Sequence, residues 1–353
     1  MLRAFWIPLA GATVFAAPPG AVYTMTNWAS GNAVVEIGRA ADGTLGGVQF
    51  FATGGAGTEV PLDSQSSLAI SSDGRFLLAV NAGSHTVSVL AILPDGALRT
   101  ASIAQSRGFT PVSVAVHGDV VFVLNAGPPA NLAGFRLESG GSLTPIPGAT
   151  QILAGASPVQ IGFDPSGTEL VVTDKGSNLI EVFTFVNNRL AGKTVHPAAA
   201  AGPSGFGFAP GGRLIVAQAG LGAPDSGSVS SYQLGSNARL GLLSRNVPTS
   251  QTGTGWVAVT PGGRFAFASN AGSSSITCLA IADDGTLQVN AAAAGLTLPG
   301  SSPADLALTP DGGLLYGVAS GSLFGFSAGA DGRLTPVTLT GGLPPGLSGL
   351  VIR

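Results

Sequence analysis

Charge is what this chain has least of. Only 9% of its 353 residues are Asp, Glu, Lys or Arg, against roughly 25% in ordinary soluble domains. With 15 basic residues scattered along it and a formal net charge of −3, it offers no basic footprint for nucleic acid. Cysteine is limited to Cys278, which excludes an intramolecular disulfide. The three histidines, His85, His117 and His196, stand far apart with no Cys or His at ligand spacing, so no metal site is expected. No Asn-x-Ser/Thr sequon occurs, which excludes N-glycosylation. Neither a Gly-x-Ser-x-Gly elbow nor a phosphate-binding loop is present, and no cofactor is expected.

Long apolar runs are also missing. Mean hydropathy is +0.43, yet Gly, Pro or polar residues interrupt every internal stretch before the roughly 18 residues that a spanning helix needs. The apolar excess, with 54 glycines, therefore belongs to tightly packed sheets. The N-terminus differs. Arg3 precedes an apolar stretch from Ala4 to Phe15, and Val14-Phe15-Ala16 offers a small-residue cleavage site before Pro18-Pro19. Residues 1–17 thus read as a signal peptide, with a first buried strand as the competing reading. The signal-peptide reading implies a secreted protein, extracellular or held at the cell surface.

What the chain does have is a repeat. A turn of the form Asp-Gly-x-Leu, or a degraded copy, places leucines at Leu45, Leu98, Leu143, Leu190, Leu240, Leu287 and Leu334, at intervals of 53, 45, 47, 50, 47 and 47 residues. Strand-like runs fill the intervals. A period of this size predicts an all-β, seven-bladed β-propeller with four-stranded antiparallel blades, one domain over 18–353. The N-terminal copy, from Ala21 to Gly57, lacks an inner strand, while the tail from Gly346 to Arg353 is an inner strand without a blade. Pairing the two closes the ring and removes both exposed sheet edges.

The blade plan sorts residues by face. The short Asp-Gly turns, carrying Asp42, Asp73, Asp95, Asp119, Asp164, Asp284, Asp311 and Asp331, fall on one face and read as turn formers. The opposite face collects Asn27, Asn81, Asn125, Asp174-Lys175, Gln218 and Asn270. The Asn-Ala-Gly copies suit a structural role, because they repeat where function would not. Asp174-Lys175-Gly176 breaks that pattern. On the inner strands, Ala69, Ala115, Gly162, Gly207, Ala258 and Ala307 are the small residues needed where strands converge on the axis. Two residues earlier, and facing the same way, stand Ser67, Ser113, Gln160, Gly205, Trp256 and Asp305. These are expected to line the channel mouth, with Asp305 partly desolvated and Trp256 able to stack a flat ligand. A polar plug, in which Asp305 bonds neighbouring hydroxyls or water, is the alternative. A Ca²⁺ site from Asp174, Asp305 and Asn carbonyls has no loop motif behind it.

Taken together, these phrases resemble the seven-bladed lactonase family, which groups bacterial 6-phosphogluconolactonases with fungal 3-carboxymuconate cyclases. The run from Ser157 to Gly167 (Ser-Pro-Val-Gln-Ile-Gly-Phe-Asp-Pro-Ser-Gly), followed by Val171 to Gly176, is similar to that family's fourth-blade phrase. The run from Gly202 to Phe208 resembles the start of its fifth. Where the phosphogluconolactonase type reads Gly-Pro-Arg-His, this chain has Ser204 and Gly205. Where that type next places an acidic residue, it has Gln218-Ala219. The Arg that would clamp an anion and the His or Glu that would activate water are thus missing.

The expectation is a monomeric, secreted, lactonase-type propeller binding a small polar or aromatic-acid ligand in a top-face central pocket. Lys175, Arg107, Trp256, Gln160, Gln218, Ser67 and Ser204 are its candidate contacts. If it is an enzyme, a lactone hydrolase or carboxymuconate cyclase-like activity would use Asp305 or Asp174 as base. The rival class is a non-catalytic extracellular platform, an adhesin or antigen, displaying the loops at Pro128 to Asn131 and Gly220 to Gly227.

Overall fold

Each repeat becomes a blade because its four runs bury to different depths. In the second blade the second strand, Phe76–Asn81, is buried along its whole length, whereas the outer strand, Leu98–Gln105, is largely exposed. The turn between the inner strand Leu68–Ile70 and Phe76–Asn81 is fixed by its aspartate. Asp73 accepts hydrogen bonds from the Ser71 hydroxyl at 2.6 Å and the Arg75 N–H at 3.1 Å, while Gly74 takes φ +70°. The Ser71 hydroxyl and the Arg75 guanidinium hold the Asp73 carboxyl down to about 2. Asp311 repeats the device with Thr309 and Gly313, so these carboxylates are turn formers.

The computed structural model describes residues 20–353 and is nearly all strand: seven four-stranded antiparallel blades form a ring. Residues 1–17, read above as a signal peptide, lie outside the described residues. Among the described residues no helix is long and apolar enough to cross a membrane. Buried side chains fill the wedges between blades. In one such layer the buried Phe122 and Phe185 and the half-buried Phe163 join the third blade to the fourth through edge-to-face rings.

Ring closure follows the expected plan. The C-terminal strand Ser348–Ile352 pairs antiparallel with Gly20–Met25, completing the blade that Ala33–Arg39 and Leu45–Ala52 continue. Across the seam, the Tyr316 hydroxyl donates to the Gly43 carbonyl at 2.7 Å.

One connection departs from the plan. Four of the blade-to-blade crossovers take five residues each, as 106–110 does, but the crossover from Ala52 to Leu68 takes fifteen, 53–67. The extra length turns inward. Its Ser64-Gln65-Ser66 stretch spans the central channel and bonds the inner strands of three other blades and, in a fourth, Asp305 just ahead of the inner strand. Gln65 N–H donates to Val159 O (3.2 Å), and its carbonyl accepts from the Ser113 hydroxyl (2.7 Å). Its side-chain amide pairs with Val257 at 3.0 and 3.3 Å, as a strand's peptide group would. Ser64 Oγ donates to Val112 O, and Ser66 N–H donates to Asp305 Oδ1. The channel mouth is therefore filled by the chain itself. Gln65→Ala removes two buried bonds and strands the Val257 peptide groups, with an expected loss of about 2–4 kcal/mol. Equilibrium urea unfolding against the wild type measures it.

Candidate functional site

Of the residues singled out by the sequence, the structure brings Asp305 and Trp256 to one cavity. It lies on the crossover face beside the plug, measures about 440 Å³, and is also bordered by Leu62, Asp63, Pro303 and Ser348. The Trp256 indole N–H donates to Ser64 O at 3.0 Å, so its polar edge is fixed to the plug while the half-buried residue borders the cavity. Larger in volume, at about 550 Å³, is a groove among the Asp-Gly turns bordered by Asp73, Arg75, Asp119 and Glu138. It lies on the opposite face and is lined by turn formers, which makes it a gap between blades.

Asp305 sits just ahead of the inner strand Leu306–Leu308 and is 3% exposed. Its Oδ2 accepts from Gly349 N–H at 2.7 Å, and its Oδ1 accepts from Ser66 N–H at 3.3 Å. Burial pushes the carboxyl up to about 7, against the pull of those two N–H groups. The residue therefore fastens the plug and the closing strand together. Each oxygen retains a second lone pair.

Lys175 reaches the rim of the same region. Its ammonium pairs with Asp63 Oδ2 at 2.7 Å, joining the fourth blade to the plug crossover. None of the residues bordering the cavity is Lys or Arg, and the cation beside it is already committed to Asp63.

The remaining candidates are placed elsewhere. Asp174 is fully buried, and its carboxylate accepts from Ser157 N–H and Ser177 N–H, both at 2.8 Å. It fills the slot that Asn81 and Asn125 fill in earlier blades. In each case a crossover glycine (Gly55, Gly108, Gly155) packs so closely that a Cβ would strike the side chain. Position, not chemistry, explains this aspartate. Gln160 uses its amide on the Phe206 N–H and carbonyl at 2.6 and 3.2 Å, so it bridges blades four and five. Gln218 is buried and accepts from Ser228 and Ser230. Ser204 donates to Gly202 O. Ser67 is fully buried, without a partner for its hydroxyl, and does not border the cavity. Arg107 is exposed on the crossover between blades two and three, away from the cavity. Among the described residues, no group of three or more His, Cys, Asp or Glu is placed to hold a metal ion.

Sequence reasoning missed Gln65 and Asp63, which belong to the plug, and Ser348, which borders the cavity. The overlong first interval, 53 residues against 45 to 50 elsewhere, is the signal that could have found the plug. Gly205 belongs to the same arrangement. A Cβ there would lie 2.1 Å from Gln65 Oε1, so a side chain at this position and the plug exclude one another. Of the loops suggested as a display surface, Gly220–Gly222 forms a short turn with Leu221 exposed, and in the other Pro128 and Pro129 are exposed while Ala130 and Asn131 are buried.

Comparison with known proteins agrees with the fold. Residues 159–323 match the family described as Lactonase, 7-bladed beta-propeller. A putative 6-phosphogluconolactonase from Bacteroides fragilis superposes with a TM-score of 0.73 at 19% identity, over 98% of this chain and 100% of the other. The periplasmic gluconolactonase of Pseudomonas aeruginosa gives 0.73 at 19% identity, over 94% and 99%. At such identities the structural likeness is one of fold. None of the curated proteins compared with the chain matches its sequence. The resemblance to the seven-bladed lactonase propellers is thus shown by the family match, and the solved structures share the ring.

Proposed function

We propose that this lactonase-type propeller is a binding protein for a small, uncharged ring compound, taken up in the cavity between Trp256 and Asp305. A lactone without phosphate or carboxylate is the ligand class that suits the cavity best. The observation that carries this reading is the pairing of an aromatic face with a buried carboxyl in a space of about 440 Å³ whose border holds no cation. A flat ring gains by stacking on the indole. A phosphate or an aromatic acid would instead face Asp305 and Asp63 with Lys175 already paired, an uncompensated charge in a desolvated site. Ring opening, if the bound lactone undergoes it, would fall to Asp305 as base. Export accords with the signal-peptide reading of residues 1–17, and one structural relative is a periplasmic gluconolactonase.

Ligand-induced thermal stabilisation tests this. Neutral sugar lactones at a hundred times Kd should raise Tm by about 3–4 °C for a chain of this size. Sugar-phosphate lactones and aromatic acids should leave it unchanged. Trp256→Ala should remove most of the shift. A shift with the phosphorylated lactone alone would overturn the proposal.

A further inference from the structure

Much of the cavity's border is carbon. Pro61 and Leu62 of the plug crossover, Ala271 of the sixth blade and Ala304 next to Asp305 all border it, and none of the four is buried. The buried Pro303 and Leu347 add to the same apolar border. Polar side chains are fewer there, and most are committed. Ser64 Oγ donates to Val112 O, the Trp256 N–H is held by Ser64 O, and Asp63 is paired with Lys175. The Ser348 hydroxyl is closed off from accessible space. Besides Asp305, this leaves the exposed Ser302 and Ser320.

This border decides what the ring can carry. A ligand hydroxyl brought against proline, leucine and alanine loses its water and gains no bond, which is unfavourable. A methylene entering the same space gains about three- to fourfold in affinity when fully buried. A bare lactone ring would also leave part of the space of about 440 Å³ unfilled. We infer that the ligand of this cavity carries an apolar substituent on its ring, so that an alkyl lactone is preferred over a polyhydroxylated one. The protonation state of Asp305 does not enter, because the apolar border selects the substituent and not the ring. The inference rests on the cavity being a small-ring site, as proposed above.

Isothermal titration calorimetry of the full chain at one pH tests this, with γ-butyrolactone, γ-hexalactone, γ-octalactone and galactono-γ-lactone. Each step along the alkyl series adds two methylenes, so Kd should fall about tenfold per step. Galactono-γ-lactone, with the same ring and carbon count as γ-hexalactone, should bind more weakly than it does. Leu62→Ser should shrink each step and leave the Kd of γ-butyrolactone unchanged. The wild-type series decides the matter even if that variant does not fold. A Kd that stays level along the alkyl series, or tighter binding of galactono-γ-lactone than of γ-hexalactone, would overturn the inference and leave the small-ring reading standing. Steps of equal size in wild type and a folded Leu62→Ser would also overturn it, since the gain would not come from this wall. If none of the four binds the wild type, the reading of the cavity falls and this inference with it.

Discussion

A chain ending at Gly346 is expected to show no cooperative thermal transition. The lost segment carries Leu347, Leu350 and Val351, all buried at 8–9% exposure. At roughly 1.5–3 kcal/mol for each fully buried side chain, their removal costs about 5–9 kcal/mol. The pairing of Ser348–Ile352 with Gly20–Met25 disappears as well, as does the Gly349 bond to Asp305. Total stability in such domains is about 5–15 kcal/mol, so the loss is of the same order as the whole. The first blade would also expose an unpaired edge beside the axis. Differential scanning calorimetry of the truncated chain decides the matter. A sharp transition near the full-length Tm would mean that closure by the tail is not what holds the ring.

The second large effect is a pH dependence centred on Asp305. The carboxyl titrates near its ordinary value of 3.8 when unfolded and at about 7 in the folded ring, chiefly because burial disfavours its charge. Below pH about 4 it is protonated in both states and contributes no slope. Between about 4 and 7 the folded protein keeps a proton that the unfolded chain has released, so stability falls as pH rises. Above about 7 both states are ionised and the slope ends, after a cumulative loss on the order of 4 kcal/mol. Asp305→Asn should be less stable at low pH, since its amide N–H₂ meets either Gly349 N–H or Ser66 N–H. Its stability should nevertheless lack this fall, so the two proteins converge as pH rises. Urea unfolding of both at half-unit steps from pH 4 to 8 reads the difference. Parallel curves would place the titration elsewhere.

The sequence revealed the ring because its signals are local. An Asp-Gly turn bonds its own neighbours, as Asp73 does with Ser71 and Arg75, and the copies repeat with the blade. The closing strand was also legible, as a run without a blade facing a blade without an inner strand. Half of the site was visible for the same reason: Trp256 and Asp305 stand at equivalent points of successive inner strands, and the strand period turns both inward. The rest was not. Gln65 meets Val257 across 192 positions of sequence, and Ser66 meets Asp305 across 239, partners that no local pattern specifies. The place of Gln160 on the axis suggests a ligand contact, but its amide is committed to the peptide group of Phe206. In the sequence, Asp174 breaks the Asn-Ala-Gly pattern. In the folded chain it fills the same slot as the asparagines, with its carboxylate capping backbone N–H groups.

The strand of chain across the axis also settles traffic through the disc. Ser64 borders the upper cavity, while Ser66 borders the apolar lower chamber, which opens among the turns near His117 and Asp164. With Gln65 sewn between them, nothing can pass from one face to the other while the plug holds. A ligand taken up beside Trp256 therefore has no axial route to the opposite face.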